Sequence, residues 1–202
     1  RPGYELAATD KELEQFPGFG RDINAAREEA KKLLAEAGVK DLSFKLMNRN
    51  VAMPYTPVGV YLIDQWRQIG VTVEHDQPET SAYISNLRSG NFEAGLDFHC
   101  DAVDDPNLQL AKFVSANRSP INYSRANDPK LDELYEAQKG ELDAEKRKQI
   151  LREFERHALT EAYNIPVVWW HRIIVNWKQI KGWHMSPSHY LNQDLQDVWL
   201  DQ

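Results

Sequence analysis

Strands and helices alternate along the first half of the sequence, and this alternation limits the fold more than any other feature. Apolar residues alternate in three short runs, which is typical of strands. The predicted strands cover 42–47, 71–75 and 92–98, and the predicted helices cover 22–37, 55–69 and 80–88. Helix-length connections favour parallel neighbours joined by right-handed crossovers. We therefore predict an α/β fold with a mixed sheet and flanking helices.

The second half of the chain is predicted to be helical up to one apolar segment. Asp128 and Asp143 are good N-cap residues for helices that reach about residues 138 and 160. Residues 164–175 form the most apolar segment and are predicted as a strand or strand pair. The predicted organisation is an irregular lead-in over 1–21, a lobe over 22–175 and an aromatic-rich tail without a clear period over 176–202.

Charge and composition exclude several classes of function. The net charge is −7, which argues against nucleic acid and anionic lipid as partners because both need a basic face. No run of 18 apolar residues is present in the sequence. There is one cysteine, so an internal disulfide is excluded. The first residues lack a signal-peptide pattern and an initiator methionine, and we expect the chain to be a piece of a longer protein.

Chemically active side chains crowd the end of the third predicted strand. In open α/β sheets, ligands bind beside the carboxyl ends of the strands, so this cluster is the first candidate for a functional site. It can hold a metal, carry out chemistry or recognise a small molecule. The cluster comprises Phe98, His99, Cys100, Asp101, Asp104 and Asp105.

A metal site is the weakest of these three hypotheses. Histidine and cysteine suit zinc or nickel, but the spacing does not match a structural zinc site and a second ligand group with fixed spacing is missing. We expect no metal and no cofactor. Asp104 or Asp105 has a structural explanation instead, because aspartate is favoured just before a helix and Pro106 is predicted to begin one.

Catalysis by Cys100 is an alternative to a binding role. His99 or His171 would act as its base, in a hydrolase built on His99, Cys100 and Asp101. No signature of a cysteine hydrolase surrounds Cys100, and cysteines are often simply packed in the interior. The sequence also lacks the Gly-x-Ser-x-Gly turn of serine hydrolases.

Trp169 and Trp170 are adjacent within the apolar segment 164–175. On a strand, neighbouring side chains point to opposite faces, so one ring can pack in the core while the other faces a cleft. Tryptophan offers a large apolar face and one hydrogen-bond donor, which suits the wall of a ligand site. The alternative is that both rings are packing residues.

Four sequence pieces together resemble a known family. They are a helix 22–38 ending in Leu33-Leu34-Ala35-Glu36-Ala37-Gly38, a segment 62–73 with Ile69-Gly70-Val71, a segment 83–94 with Gly90-Asn91-Phe92, and a stretch from Asn127-Asp128-Pro129 to Ile165-Pro166-Val167. Their order and spacing over residues 20–180 resemble the carboxyl-terminal half of the extracellular solute-binding proteins of the peptide/nickel family (family 5), which serve ABC importers.

The resemblance implies one lobe of a periplasmic-binding-protein type II fold, in a receptor whose two lobes close on a solute. It implies a monomeric, exported protein of the periplasm or cell envelope that is not an enzyme. It also implies a small solute such as a peptide, an opine or a sugar, and an ABC permease of the inner membrane as partner. Residues 176–202 would return to the missing lobe, and a lobe that only docks on the permease is a further alternative. We expect the isolated fragment to bind solute weakly or not at all.

The resemblance also implies a site, with one departure. The family's aspartate for a peptide amino group lies four positions before the proline, which is Ala102 here, and Asp101 stands one place earlier. Either the loop is shifted by one residue or the solute is not a peptide. Trp170 best matches the contacting aromatic position of the family. The predicted ligand-binding residues are Phe98, His99, Cys100, Asp101, Trp169, Trp170 and His171.

Overall fold

The computed structural model describes residues 4–100, 103, 105–171, 173–185 and 195–201. The α/β class is confirmed, with helices packed beside a small parallel sheet. In chain order the helices are α1 (Asp10–Leu13), α2 (Ile23–Glu36), α3 (Tyr55–Arg67), α4 (Thr80–Ser89), α5 (Pro106–Gln109), α6 (Pro129–Gly140) and α7 (Ala144–Glu161). The strands are β1 (Ser43–Met47), β2 (Thr72–Asp76), β3 (Ala94–Gly95), β4 (Ile180–Lys181) and β5 (Trp199–Leu200). None of the described helices is long and apolar enough to cross a membrane.

The parallel sheet has the strand order β2-β1-β3. Ser43 of β1 pairs with Thr72 of β2, and Met47 of β1 pairs with Gly95 of β3. Helix α3 connects β1 to β2 and α4 connects β2 to β3, which are the crossover connections that parallel neighbours require. The antiparallel pair β4-β5 forms a separate two-stranded sheet.

Two groups of buried side chains stabilise the fold. Met47, Tyr83 and Leu87 join β1 to α4, with Phe92 and Tyr123 packed against them. Burial of such side chains contributes about 1.5–3 kcal/mol each. The second group joins α6 to α7, and a 3-10 turn over 110–113 packs beside it; its buried members are Leu131, Leu134, Phe154 and Ala158.

The predicted helices are present, and their caps explain why. Asp22, Asp128 and Asp143 each accept hydrogen bonds from two backbone N–H groups at the start of α2, α6 and α7. Asp105 caps α5, as predicted for one of the two aspartates before Pro106. One difference concerns the lead-in, which is not wholly irregular: Thr9 and Glu12 form a capping box that starts the short helix α1.

Two strand predictions are wrong. The third strand covers only Ala94–Gly95 instead of 92–98. At its carboxyl end, the carbonyl oxygens of Leu96 and Phe98 accept hydrogen bonds from side chains, and before it the backbone N–H of Lys45 on β1 donates to the Glu93 carboxylate. The described residues of 164–175 form no strand. A strand needs a neighbour for its backbone groups, and the described part of the chain supplies none for this segment.

Helix α2 has an apolar face but no buried side chain. Its residues Ile23 and Leu33 are both about half exposed, at 51%. Arg27 Nη2 donates a 2.8 Å hydrogen bond to Gln65 Oε1 on α3. The helix therefore lies beside the sheet without being covered by it.

Candidate functional site

The three parallel strands all finish at one end of the sheet, which we call the carboxyl edge. Asn48 and Arg49 follow β1, and Asp97 and Phe98 follow β3. Helices α3 and α4 begin at the same end because each follows a strand of the parallel sheet. Ligands of open α/β proteins bind at this place. Side chains from several separate segments therefore meet at the carboxyl edge.

Arg49 is held at this edge by two neighbours. Its Nε donates a 3.1 Å hydrogen bond to Oγ1 of Thr80, at the start of α4. Its guanidinium carbon lies 5.5 Å from the centre of the Tyr55 ring, a cation–π distance. The guanidinium is thus positioned before any ligand arrives, and its planar donors match carboxylate and carbonyl oxygens.

Phe98 completes an aromatic wall beside Arg49. Its ring centre lies 6.1 Å from that of Tyr55, with the ring planes at 77°, an edge-to-face arrangement. Phe98 is half exposed, at 50%, whereas Tyr55 is buried. Tyr55 therefore supports both the cation and the exposed ring. The edge offers an apolar surface next to a positive charge.

Side chains also fix the backbone just after β3. The Tyr83 hydroxyl donates a 2.7 Å hydrogen bond to the carbonyl oxygen of Leu96, and Lys112 Nζ donates a 2.9 Å bond to the carbonyl oxygen of Phe98. Lys112 also pairs with Asp97. Burial, and then the nearby Asp97 carboxylate, raise the pKa of the Tyr83 hydroxyl far above its ordinary value. The hydroxyl therefore stays protonated and remains a donor.

A buried amide lies beneath the edge. Asn48 is fully buried, and its Nδ2 donates a 2.7 Å hydrogen bond to the carbonyl oxygen of Tyr55. The same nitrogen lies 3.0 Å from Nε2 of His75. Burial lowers the pKa of His75, although the neighbouring Asp76 acts in the opposite direction. Neutral His75 can then accept from the amide, which fixes β1, β2 and α3 to one another.

The predicted residues after Phe98 are only partly described. His99 and Cys100 are exposed. Asp101, the acid predicted to contact the solute, lies outside the described residues, as do Ala102 and Asp104. Among the residues that are described, no group of three His, Cys, Asp or Glu side chains could hold a metal ion.

The second predicted segment lies apart from secondary structure. Trp169 and Trp170 are 66% and 54% exposed, and His171 is exposed too. The expectation that a strand would send the two rings to opposite faces is wrong, since this stretch forms no strand. The Phe98 ring contacts the ring of Tyr55. Phe98 is thus linked to Arg49 through the Tyr55 ring, which both of them contact.

The ligand-binding residues predicted from the sequence do not include Arg49, Tyr55 or Thr80. A signal for them exists, because each follows one of the first two predicted strands closely enough to lie at the same edge as Phe98. Many ordinary loop residues also follow a strand in this way, however. Only the contacts that Arg49 makes with Tyr55 and Thr80 distinguish these three residues from the others.

Two shallow grooves lie at the opposite end of the sheet, where the strands begin. They measure about 300 and 330 Å³, and both are lined by Leu34, Leu42, Ile69 and Val71. Trp66 and Phe44 add to the second groove. Because these grooves lie between α2 and the start of the strands, they are separate from the carboxyl edge.

The comparisons with known proteins agree on one family. The model described as bacterial extracellular solute-binding proteins, family 5 Middle, matches residues 3–120. The periplasmic oligopeptide-binding protein OppA of Escherichia coli is 26% identical over 186 residues, which is 90% of this chain and 33% of that protein. The dipeptide-binding protein DppE of Bacillus subtilis is 23% identical over 207 residues, covering 100% of this chain and 36% of that protein. The chain thus spans about a third of the length of these curated relatives.

A solved structure shares the fold. The ABC transporter-associated periplasmic binding protein DppA from Helicobacter pylori, in complex with the peptide STSA, matches with a TM-score of 0.78 at 16% identity. The match covers 100% of this chain and 38% of that one. At this identity the comparison shows the fold, and the predicted periplasmic-binding-protein type II architecture is confirmed at that level.

Proposed function

The chain belongs to the bacterial extracellular solute-binding proteins of family 5, and on that premise we propose that its carboxyl edge forms one wall of a solute site. The observation that carries the proposal is the convergence of Arg49, Tyr55 and Phe98 there. A preorganised cation beside an aromatic wall suits a solute that has both an anionic or carbonyl group and apolar parts.

Short peptides are the proposed solute class. The relatives described above are named for oligopeptides and dipeptides, and the structural neighbour holds the peptide STSA. A peptide offers a carboxylate and backbone carbonyls to Arg49, and its side chains can lie against Phe98. Asp101 would pair with a cationic or hydroxylated group of the solute, since a charge covered on binding needs a partner. His99, Cys100 and His171 are proposed to line the same site.

The second wall of the site would come from another lobe of the full-length protein. We propose that residues 22–175 are one lobe and that 176–202 returns to the other. The exposed apolar side chains of the segment after α7 support this, since such a surface usually has a partner. They include Ile165, Trp169, Trp170, Ile173, Val175 and Trp177.

The proposed lobe arrangement has a direct test. Iodide quenching of tryptophan fluorescence should be weaker in the full-length protein than in the 202-residue chain, because the other lobe covers Trp169 and Trp170. Equal quenching would contradict the proposed arrangement.

Delivery to a membrane permease completes the proposed role. The protein would act outside the cytoplasm as a monomer, close its lobes on the solute and present it to an ABC permease. Hinge closure around a solute is the usual motion of such receptors. A hydrolase based on Cys100 has no comparable support, because the relatives described above are named as binding proteins.

A thermal-shift screen of the full-length protein tests the proposed function. The ligands are the peptide STSA, octopine, maltose and a nickel–histidine chelate. A solute at a hundred times its Kd stabilises the folded state by about 2.7 kcal/mol, so STSA should raise the Tm by several degrees. Stabilisation by a different ligand alone would reject the peptide class, and no stabilisation by any of them would reject the function.

Calorimetric titration then tests the role of Asp101. Asp101→Ala should weaken STSA binding at least tenfold, because the solute loses its charged partner. Glu145→Ala is the matched control, since Glu145 is an exposed acid on α7. Equal affinities for the wild type and Asp101→Ala would remove Asp101 from the site.

A further inference from the structure

Gln138 on α6 is the centre of a buried polar network. It is fully buried, and its Nε2 donates a 2.6 Å hydrogen bond to Oδ1 of Asn107. Its Oε1 accepts from Nε and Nη2 of Arg147, on α7, at 3.1 and 3.0 Å. The amide therefore connects α6, α7 and α5.

Packing of α6 on α7 does not require this network. Leu131, Leu134 and Phe154 already bury that interface, and an apolar residue at 138 would pack there without the cost of burying an amide. Buried polar groups that are fully hydrogen-bonded specify one arrangement of the parts they join. The part that Gln138 adds to the helix pair is Asn107.

Asn107 lies at the start of α5, and further bonds hold the same place. Its backbone N–H donates a 2.7 Å hydrogen bond to Oδ1 of Asp105, and its carbonyl oxygen accepts one of 2.7 Å from Tyr135. Arg147 Nη2 also lies 3.5 Å from Oδ1 of Asp105. Asp105 and Asn107 are thereby fixed to α6 and α7.

The network fixes the chain on the carboxyl-terminal side of the segment that contains Phe98 and Cys100. On the other side, Lys112 binds the carbonyl oxygen of Phe98, and Tyr83 binds that of Leu96. Of the described residues, Leu96 and Phe98 are thus held on one flank and Asp105 and Asn107 on the other, by side chains of other elements. The helix pair α6–α7 holds the position of Asp105 and Asn107, where that segment ends.

We propose that Gln138 and Arg147 are positioning residues for solute binding, acting through Asn107 on the segment after β3. The inference rests on the proposed function, because it assigns these residues to the same site. It predicts that breaking the link to Asn107 loosens the segment and weakens solute binding without separating α6 from α7.

Two substitutions at Asn107 separate positioning from general stability. Asn107→Ala removes the acceptor for Gln138 but keeps the backbone bonds to Asp105 and Tyr135. Asn107→Asp retains an acceptor oxygen and should behave like the wild type. Lys130→Met is the matched control, because the 2.8 Å ion pair of Lys130 with Glu153 also joins α6 to α7 but does not involve Asn107. Arg147→Met is a second disrupting variant.

The main readout is a nitroxide label on Cys100, which is exposed. It is measured by electron paramagnetic resonance in the full-length protein, with any cysteine outside this chain changed to serine. We expect a more mobile label in Asn107→Ala and Arg147→Met, and the wild-type spectrum in Asn107→Asp and Lys130→Met. Unlabelled Asn107→Ala should bind STSA about tenfold more weakly, with far-ultraviolet circular dichroism unchanged.

The inference is overturned if the label in Asn107→Ala gives the wild-type spectrum, or if Lys130→Met mobilises it equally. Wild-type affinity for STSA in Asn107→Ala overturns it as well. Because the label is read without solute, its spectrum decides the positioning claim even where the thermal-shift screen rejects the proposed function.

Discussion

The hydroxyl of Tyr83 donates a 2.7 Å hydrogen bond to the backbone carbonyl oxygen of Leu96. Helix α4 thereby holds the chain after β3 in a position that a longer strand would otherwise secure. Tyr83→Phe removes this bond and leaves a partly buried carbonyl without this donor. We expect the free energy of unfolding to fall by about 1–2 kcal/mol, measured by urea denaturation at pH 7.

The same tyrosine predicts a dependence on alkaline pH. Burial, and then Asp97, raise the pKa of Tyr83 in the folded state above its ordinary value, so the folded state keeps a proton that the unfolded state releases. The stabilisation is therefore fully present below about pH 10 and is lost as the pH rises further. The difference in stability between wild type and Tyr83→Phe should be smaller at pH 11 than at pH 9. An equal difference at both values would contradict this assignment.

Gly59 is needed where α3 crosses the sheet. A β-carbon at this position would lie 2.5 Å from Nε2 of His75 and would also meet the side-chain amide of Asn48. Both groups are held by hydrogen bonds beneath the carboxyl edge, so they cannot move aside freely. Gly59→Ala should destabilise the fold by about 1–3 kcal/mol.

Gly140→Ala is the control for that substitution. Gly140 ends α6, and a β-carbon there would meet no heavy atom within 4 Å. Alanine is the better helix former, so this variant should be neutral or more stable by up to about 1 kcal/mol. If Gly59→Ala and Gly140→Ala had the same stability in urea, close packing would not explain why residue 59 is a glycine.

Asp128 connects the start of α6 to α7. It accepts hydrogen bonds from the backbone N–H groups of Lys130 and Leu131, and its Oδ2 lies 2.8 Å from Nε2 of His157. Asp143 caps α7 in the same way but is exposed. Asp128→Ala should cost about 2–3 kcal/mol and Asp143→Ala about 1 kcal/mol, because only the first also removes a partner of His157.

Acid titration tests the same carboxylate. Burial alone would raise the pKa of Asp128, but the bonds from His157 and from the two backbone N–H groups outweigh it and lower the pKa. Its stabilisation is therefore present above the unfolded value near 3.9 and is lost as the pH falls below it. The stability difference between wild type and Asp128→Ala should narrow between pH 5 and pH 3. A difference that is constant over this range would show that the lowered pKa is not a source of stability.

Strands β1 and β2 could be predicted from the sequence to within about a residue, because their alternation and their flanking turns are local signals. The length of β3 could not, since it depends on Tyr83 and Lys112, which reach the strand end from other elements. Residues 164–175 have the composition of a strand, but strand formation needs a partner that composition does not reveal.

The location of the candidate site could be predicted from the sequence, but several of its residues could not. Phe98 could be selected because it follows an apolar run at a strand end. Arg49 could not be selected, because its position depends on contacts with two residues from other segments. Thr80 lies 31 residues further along the chain, and Tyr55 lies at a helix start. The buried amide of Gln138 had no signal either, because glutamine on a helix is usually exposed.

Modification of Cys100 tests the central claim most directly, because this exposed thiol lies two residues beyond Phe98 in the chain. The full-length protein is treated with N-ethylmaleimide, with and without the solute that stabilises it, and the peptide containing Cys100 is followed by mass spectrometry. If the carboxyl edge is the solute site, saturating solute should slow the modification about tenfold or more. An unchanged rate in the presence of a solute that raises the Tm would place the binding site elsewhere.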